Sequence, residues 1–117
     1  MTGTLWLWVL AAVLAVVAIR RLQGGKRVSP DVVLQKIKNG ATVVDVRTPG
    51  EYQTGAYPGA VNIPVQELDR RVDELRKDRP IVVYCASGMR SASAERLLRA
   101  RGFTDVVNGG GLGQMPR

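Results

Sequence analysis

The only cysteine of this chain, Cys85, lies where a predicted strand ends and a predicted helix begins. The apolar run 81–84 predicts a buried strand, and the pattern of 91–101 predicts a helix that Gly102 ends. The first backbone N–H groups of a helix have no partner within it and favour an anion. A thiol there should ionise easily, and the thiolate is the reactive form of cysteine. The position therefore predicts nucleophilic chemistry at sulfur.

Three features favour this interpretation over the alternative of a cysteine buried as a small apolar residue. Gly88 allows a tight loop that turns its amides inward. Arg90 adds a permanent cation five positions after the sulfur. The loop also opens a helix in an α/β pattern, in which ligands bind beyond the carboxyl ends of the strands. We therefore expect Cys85 to be functional.

The composition limits the chemistry that Cys85 can take part in. The 117 residues include no histidine, which excludes Cys-His and Ser-His-Asp arrangements within the chain and disfavours a zinc site. A single cysteine excludes an internal disulfide and a Cys-x-x-Cys pair. We expect neither a metal nor a cofactor, and we expect backbone amides and arginine to activate the thiol.

The elements that must position the loop alternate between strand and helix. Predicted helices begin at Ser29 and at Thr48, where Thr48 and Glu51 form a capping box, and a third spans 65–77. Strands are predicted over 42–46, 61–63, 81–84 and 105–107, and the glycine run 109–111 is predicted to be a flexible turn. This alternation predicts an α/β fold in which a small parallel sheet carries helices on both faces.

Two stretches of the sequence resemble one family. The loop Cys85-Ala86-Ser87-Gly88-Met89-Arg90-Ser91 resembles the active-site loop of rhodanese-like sulfurtransferases, which often has the form Cys-x-Ser-Gly-x-Arg-Ser. The stretch 45–64 contains Asp-Val-Arg, Glu-Tyr and Pro-Gly-Ala-Val-Asn-Ile-Pro, which are similar to a second motif of that family. The resemblance extends over roughly residues 28–114 and implies a single-domain thiosulfate sulfurtransferase.

The resemblance implies that Cys85 is the catalytic residue and accepts a sulfur atom as a persulfide. It implies that a small donor such as thiosulfate supplies the sulfur, and that a thiol, or cyanide in an assay, accepts it. The expected substrate-binding residues are Ala86, Ser87, Gly88, Met89, Arg90 and Arg47. For Arg47 we favour an ion pair with Glu51, four positions on, over a direct role in attracting an anionic donor.

Two other functions remain open at this stage. Related tyrosine and dual-specificity phosphatases have five residues between cysteine and arginine, whereas four lie between Cys85 and Arg90. A phosphatase also needs a general acid, and the sequence identifies none. The second alternative is a non-catalytic, membrane-tethered binding or sulfur-carrier module. Retention of the cysteine, glycine and arginine in the loop favours an enzyme over that module.

The N-terminal segment 2–19 carries no charge and is followed by Arg20 and Arg21. Eighteen helical residues span about 27 Å, enough for a bilayer core, and Trp6 and Trp8 suit an interfacial aromatic belt. A cleaved signal peptide and a buried core helix fit this pattern less well. We therefore expect a transmembrane helix over 1–22, a linker over 23–28 and a rhodanese-like domain over 29–117.

The charge distribution bears on where the chain resides. Four basic residues without an acidic neighbour follow the apolar segment, and residues 28–117 contribute only +3 of the net +7. This pattern favours a lipid bilayer over nucleic acid as the partner of the basic segment. The positive-inside rule then predicts a single-pass protein of the inner (cytoplasmic) membrane with its catalytic domain in the cytoplasm. Ala11 and Ala15 could form a helix–helix seam that supports a homodimer.

Overall fold

The computed structural model describes residues 2–23 and 26–117, with the side chains of 2, 3 and 19–23 left out of the description. Its helices are α1 Thr2–Gln23, α2 Pro30–Lys38, α3 Pro49–Gln53, α4 Val65–Leu68 and α5 Met89–Ala100. Its strands are β1 Thr42–Asp45, β2 Val61–Asn62, β3 Ile81–Cys85 and β4 Val106–Gly111. Two 3₁₀ helices span Asp69–Glu74 and Leu112–Gln114. The predicted α/β class is confirmed.

The sheet has the order β2-β1-β3-β4, and every neighbouring pair of strands is parallel. All five residues of the central strand β3 are buried. Runs of β-branched residues are typical of parallel strands that helices cover on both faces. In this register Asp45 lies beside Tyr84, and Cys85 lies beside Gly111. The carboxyl ends of β1, β3 and β4 therefore meet at one edge of the sheet.

Apolar side chains pack on both faces of the sheet. One cluster joins Val83 and Cys85 of β3 to Leu68 of α4 and to Leu98 of α5. The second cluster joins other strand residues to α2 through Val33, which is fully buried. Burial of one such side chain contributes about 1.5–3 kcal/mol. Cys85 is therefore anchored within a packed core, and its neighbours in the loop extend beyond that core.

The last strand differs from the prediction, because the glycine run 109–111 belongs to β4 rather than to a flexible turn. The prediction of a turn was wrong, and the reason is a close approach of two backbone segments. A Cβ atom added at Gly111 would lie 2.4 Å from the carbonyl oxygen of Ala86. Glycine is needed here because the loop after Cys85 passes directly over the end of β4.

The predicted helix over 65–77 is also shorter and less regular than expected. It consists of α4, Val65–Leu68, followed by the 3₁₀ helix Asp69–Glu74. Leu68 and Leu75 are nevertheless buried, and Val72 is half-buried. These apolar residues are four and three positions apart, the spacing of one helix face, although one α-helix does not contain them all.

Helix α1 extends over Thr2–Gln23, and its described side chains, those of 4–18, are exposed. Within the described residues, no helix combines the length and the apolar character that crossing a bilayer requires. The predicted transmembrane span is therefore not supported. Residues 24 and 25 of the predicted linker lie outside the described residues. Arg27, from the same linker, lies beside β4 and forms a parallel β-bridge with Asn108 of that strand.

Candidate active site

Cys85 is the last residue of β3, and its side chain is 0% exposed. The chain then turns through Ala86 and Ser87 to Gly88, which has a φ of 103° and precedes the first turn of α5. Other residues rarely adopt this left-handed conformation, so Gly88 makes the tight turn possible. The predicted strand–cysteine–loop–helix arrangement is present, with the sulfur at the amino end of α5.

The sulfur atom of Cys85 has hydrogen-bonding neighbours in the loop and at the start of α5. The Gly88 N–H donates to Sγ at 2.9 Å, and the Ser91 hydroxyl oxygen lies 3.4 Å from Sγ. Burial raises the pKa of Cys85, whereas hydrogen bonds from the Ser91 hydroxyl and from the amides of Ser91, Gly88 and Ser87 lower it. The lowering effects outweigh burial, so the pKa of the thiol is below its ordinary value. The site therefore favours the thiolate.

Ser91, the last residue of the loop motif, contacts the sulfur although it was not among the residues expected to form the site. Its side chain is fully buried, and its hydroxyl also lies 2.7 Å from Oδ1 of Asn108, to which it can donate. The Gly110 N–H donates to the same Oδ1 at 2.9 Å, which orients the Asn108 amide. A possible clue in the sequence was the position of Ser91 on the third residue of α5, from which a side chain points back toward the helix start.

Arg90 forms a two-pronged ion pair with Glu51. Its Nη1 and Nη2 donate to Oε1 and Oε2 of Glu51 at 2.7 and 3.0 Å, and both side chains are about one-third exposed. Arg90, followed by hydrogen bonds from Thr48, lowers the pKa of Glu51 to about 2. The predicted capping box of Thr48 and Glu51 is confirmed. The Glu51 carboxylate is therefore held beside the guanidinium group of Arg90, at the start of α5.

Arg47 pairs with Asp45, so the predicted ion pair with Glu51 is wrong. Its Nε and Nη2 donate to the Asp45 carboxylate at distances from 2.7 to 3.1 Å, and Nη2 also donates to the Gly55 carbonyl at 2.7 Å. Tyr84 donates to Oδ2 of Asp45 at 2.7 Å, and burial is the main reason that the pKa of Tyr84 rises to about 12. Arg47 is only 6% exposed, and its contacts tie β1 to the segment that follows α3.

The remaining predicted loop residues form the outer surface of the site. Ala86 and Ser87 are exposed, Gly88 is half-buried, and Met89 is 80% exposed. A groove of about 610 Å³ lies elsewhere, between α2, the loop at Tyr57 and the C-terminal segment, and no residue of 85–90 lines it. Among the residues that the structure describes, no cluster of three or more His, Cys, Asp or Glu residues could hold a metal ion. The chemistry of the site rests on a thiol held in a loop of backbone amides.

A comparison with family models identifies this arrangement. The model of the rhodanese-like domain matches residues 29–111, which is most of the chain. The chain belongs to the rhodanese-like family. The match includes the strand, the loop and the helix that hold Cys85, together with the segment that contains Arg47 and Glu51.

Individual members of the rhodanese-like family support the assignment. The chain is 39% identical over 71 residues to thiosulfate sulfurtransferase PspE of Escherichia coli, covering 59% of this chain and 68% of PspE. It is 35% identical over 85 residues to the putative sulfur carrier protein YrkF of Bacillus subtilis, covering 68% of this chain and 46% of YrkF. A solved structure of rhodanese with anions from E. coli superposes with a TM-score of 0.62 and 37% identity, covering 66% of this chain and 95% of that one.

The length of the chain differs from that of several of these relatives. It spans about half the length, from 46% to 62%, of three curated relatives that it matches. Two of these relatives are named as sulfurtransferases, and one is named as a putative sulfur carrier protein. The family is a sulfurtransferase family, and the activity of this chain is the subject of the following proposal.

Proposed function

We propose that this protein is a sulfurtransferase that carries a sulfur atom as a persulfide on Cys85. The observation that supports this most directly is the 2.9 Å hydrogen bond from the Gly88 N–H to the buried Sγ. Amides fixed in this direction stabilise negative charge on sulfur without any rearrangement during the reaction. The same amides would stabilise a persulfide anion, whose terminal sulfur lies one S–S bond beyond Sγ.

In the first step, the Cys85 thiolate attacks the outer sulfur of a donor such as thiosulfate. A new S–S bond forms at Cys85, the donor's own S–S bond breaks, and sulfite leaves with the bonding electron pair. Hydrogen bonds to Sγ lower the pKa of Cys85, which increases the fraction of the reactive thiolate. Burial keeps bulk water away from the sulfur.

In the second step, an acceptor thiolate, or cyanide in an assay, attacks the terminal sulfur. The S–S bond on Cys85 breaks, and the Cys85 thiolate is regenerated. Cys85 is the only cysteine of the chain, so no second thiol within it can take the sulfur. We expect the loaded protein to keep its sulfur after the donor is removed and to release it when a small thiol is added.

A sulfur carrier is the main alternative, and the relative named as a putative sulfur carrier favours it. A carrier would accept and release one sulfur only with a specific protein partner, whereas an enzyme would turn over with small thiols. A phosphatase is less well supported, because four residues separate Cys85 and Arg90 and because Glu51 is held ionised by Arg90 and Thr48. An ionised carboxylate cannot donate the proton that a general acid must supply.

The central experiment is mass spectrometry of the purified full chain after exposure to thiosulfate. We expect a gain of one sulfur atom that is absent in the Cys85→Ser variant, followed by discharge with a small thiol and sustained transfer to cyanide. A protein that gains sulfur but does not turn over with small acceptors would be a carrier. A protein that gains no sulfur from any sulfane donor would refute both functions.

We also propose that α1 attaches the protein to the cytoplasmic membrane, with residues 29–117 in the cytoplasm. This proposal rests on the uncharged segment 2–19, the following Arg20 and Arg21, and the exposed apolar side chains of α1. Ala11 and Ala15 are exposed on that helix and would form the seam of a homodimer.

Membrane attachment can be tested by fractionating cells that produce the full chain or a variant lacking 2–22. The full chain should stay with carbonate-washed membranes, and the shortened variant should not. The substitution Ser93→Cys in a Cys85→Ser background moves the thiol to an exposed position. This thiol should react with a membrane-impermeant thiol reagent only after the cells are opened. A full chain found in the supernatant would contradict attachment, and labelling of intact cells would contradict the orientation.

A further inference from the structure

The side chain of Asn108 joins β4 to the loop that holds Cys85, and it is 2% exposed. Its Oδ1 accepts from the Gly110 N–H at 2.9 Å and lies 2.7 Å from the Ser91 hydroxyl oxygen. Its Nδ2 donates to the Gly88 carbonyl at 3.4 Å. Both ends of the amide are therefore held, and the end that faces the Ser91 hydroxyl is the oxygen, which can only accept a hydrogen bond.

The hydroxyl of Ser91 lies between this oxygen and the sulfur of Cys85. Its single hydrogen has several acceptors within reach: Asn108 Oδ1 at 2.7 Å, the Gly88 carbonyl at 3.1 Å, Sγ at 3.4 Å and the Gly110 carbonyl at 3.5 Å. The shortest distance, to Asn108, is a normal length for a hydrogen bond between two oxygen atoms. One hydrogen cannot serve Oδ1 and Sγ fully at the same time, so these two acceptors compete for it.

The charge on Sγ changes during the reaction, and this change decides the competition. Sγ carries no full negative charge in a thiol or in a persulfide, because the charge of a persulfide is on its terminal sulfur. Neutral sulfur is a weak acceptor, so the hydroxyl should then donate to Asn108. A thiolate sulfur carries a full charge, and hydrogen bonds to charged groups are roughly twice as strong as neutral ones. The hydroxyl should then turn to Sγ.

We propose that Asn108 is a positioning residue that acts through Ser91: its Oδ1 holds the Ser91 hydrogen while Cys85 carries sulfur, and releases it to Sγ when that sulfur leaves. This inference rests on the proposed sulfurtransferase function. As the acceptor attacks, a new bond forms to the terminal sulfur, the S–S bond on Cys85 breaks, and Sγ receives the electron pair. The hydroxyl turns toward Sγ without transferring its proton, and no oxidant or reductant is needed.

The competition favours the loaded protein over the discharged thiolate. The hydroxyl must give up its bond to Asn108 before it can stabilise the thiolate, so part of that stabilisation is offset. Cys85 therefore keeps its sulfur more firmly than Ser91 alone would allow. Asn108 and Ser91 should consequently have opposite effects on the thiolate. A purely structural role of Asn108, in supporting the Gly88 peptide whose N–H donates to Sγ, would give both residues the same sign.

The other ionisable groups around Cys85 do not change when Asn108 is replaced. The elements around Cys85 carry ionisable side chains that are buried or lie at the loop: Arg90 and Glu95 of α5, Glu51 of α3, Asp45 of β1, Tyr84 of β3, and Arg47. Arg90 interacts electrostatically with the Cys85 thiolate. Because asparagine is neutral, its replacement by another neutral residue leaves all of these charges in place.

The test measures two properties of the full chain: the pKa of Cys85, and the rate at which the preloaded persulfide passes its sulfur to cyanide at a fixed pH. Asn108→Leu removes both hydrogen-bonding groups at similar size, and Asn108→Ala removes them with less bulk. Each substitution is also made in a Ser91→Ala background. This double-mutant cycle isolates the effect that Asn108 has through the hydroxyl.

Asn62→Leu is the matched control. Asn62 is a half-buried asparagine of β2, and its Nδ2 donates to the carbonyls of Asp45 and Arg47 at 3.0 and 2.9 Å. Strands β1 and β3 lie between β2 and β4, so this amide is separated from Ser91. The control shows what the loss of an amide that supports the backbone does to the two measurements.

We expect the pKa of Cys85 to fall in both Asn108 variants. A neutral hydrogen bond is worth about a factor of five, and the Gly88 carbonyl, 3.1 Å from the hydroxyl, replaces Asn108 in part. The thiolate should therefore be favoured about threefold, which is a fall of about half a pKa unit. Transfer to cyanide should be about twofold faster, because a thiol of lower pKa leaves more readily. Asn62→Leu should change neither value.

In the Ser91→Ala background, replacement of Asn108 should not lower the pKa of Cys85, because no hydroxyl remains to be released. A higher or unchanged pKa in the folded single variants would overturn the inference, and so would an equal fall in the Ser91→Ala background. Failure of the unmodified protein to gain sulfur would instead refute the proposed function, and the comparison of pKa values would still show whether Asn108 competes with Sγ.

Nuclear magnetic resonance of the unmodified protein decides the matter if neither Asn108 variant folds. The side-chain carbonyl carbon of Asn108 should change its chemical shift as Cys85 ionises, and return toward the thiol value when the persulfide forms. The response should be lost in Ser91→Ala. A chemical shift that ignores the ionisation of Cys85, or that responds equally in Ser91→Ala, would contradict the proposal.

Discussion

The hydroxyl of Ser91 provides a sharp test of how the Cys85 thiolate is stabilised. Ser91 Oγ lies 3.4 Å from Sγ, and the Ser91 hydroxyl is the first of the hydrogen-bonding groups that lower the pKa of Cys85 against the effect of burial. Replacement of Ser91 by alanine removes this donor and leaves burial in place. We therefore expect the pKa of Cys85 to rise in the Ser91→Ala variant.

The size of the rise follows from two opposing contributions. A hydrogen bond to a charged group contributes about 1.5–3 kcal/mol to stability, whereas a neutral one contributes about 1 kcal/mol. The Ser91 hydroxyl lies 2.7 Å from Oδ1 of Asn108 and must turn away from it to donate to the thiolate. The difference is about 0.5–2 kcal/mol, and one pKa unit corresponds to about 1.4 kcal/mol. We expect a rise of about one pKa unit.

The assay follows thiolate absorbance and the rate of persulfide formation as the pH is raised. Both curves should shift together to higher pH in Ser91→Ala. Ser93→Ala is the matched control, because Ser93 lies on the same helix with an exposed side chain that accepts a hydrogen bond from Arg96 at 3.3 Å. If the pKa of Cys85 stays the same or falls in a folded Ser91→Ala protein, the hydroxyl does not stabilise the thiolate.

Three further predictions concern the surroundings of the thiol. Gly111→Ala should destabilise the fold by about 1–3 kcal/mol in urea unfolding and should slow persulfide formation, because the new Cβ would clash with the carbonyl oxygen of Ala86. Gly113→Ala is the control: there is open space around Gly113, so this variant should be as stable as the unmodified protein. Asp45→Asn should cost about 3 kcal/mol of unfolding free energy because it leaves the buried charge of Arg47 unpaired, and a cost near zero would contradict the role of this pair. Finally, the pKa of Cys85 is lower in the folded state than in the unfolded state. The free energy of unfolding should therefore rise with pH between the folded and the unfolded pKa. This gain in stability should be lost as the pH falls through the folded pKa. Cys85→Ser should abolish that rise in a titration of stability.

Local patterns predicted the order of elements and the position of the nucleophile correctly. The strand before Cys85 and the helix after it depend on short runs of apolar residues, and the capping box depends on Thr48 and Glu51, which are three positions apart. These features are determined by interactions between near neighbours in the chain. The extent of β4 was missed because three consecutive glycines carry no side-chain pattern, although their lack of Cβ atoms is what lets the loop pass over them.

The amino-acid sequence by itself determined that one thiol would stand at the start of a helix, without a histidine to activate it. The tertiary structure alone decided which groups surround that thiol and how its charges are paired. Arg90 and Glu51 are 39 positions apart, and Ser91 and Asn108 are 17 apart. Their contacts arise only when the parallel strands bring the carboxyl ends of distant segments to one edge of the sheet. Side chains separated along the chain are then packed at distances of a few ångströms, which no local pattern encodes.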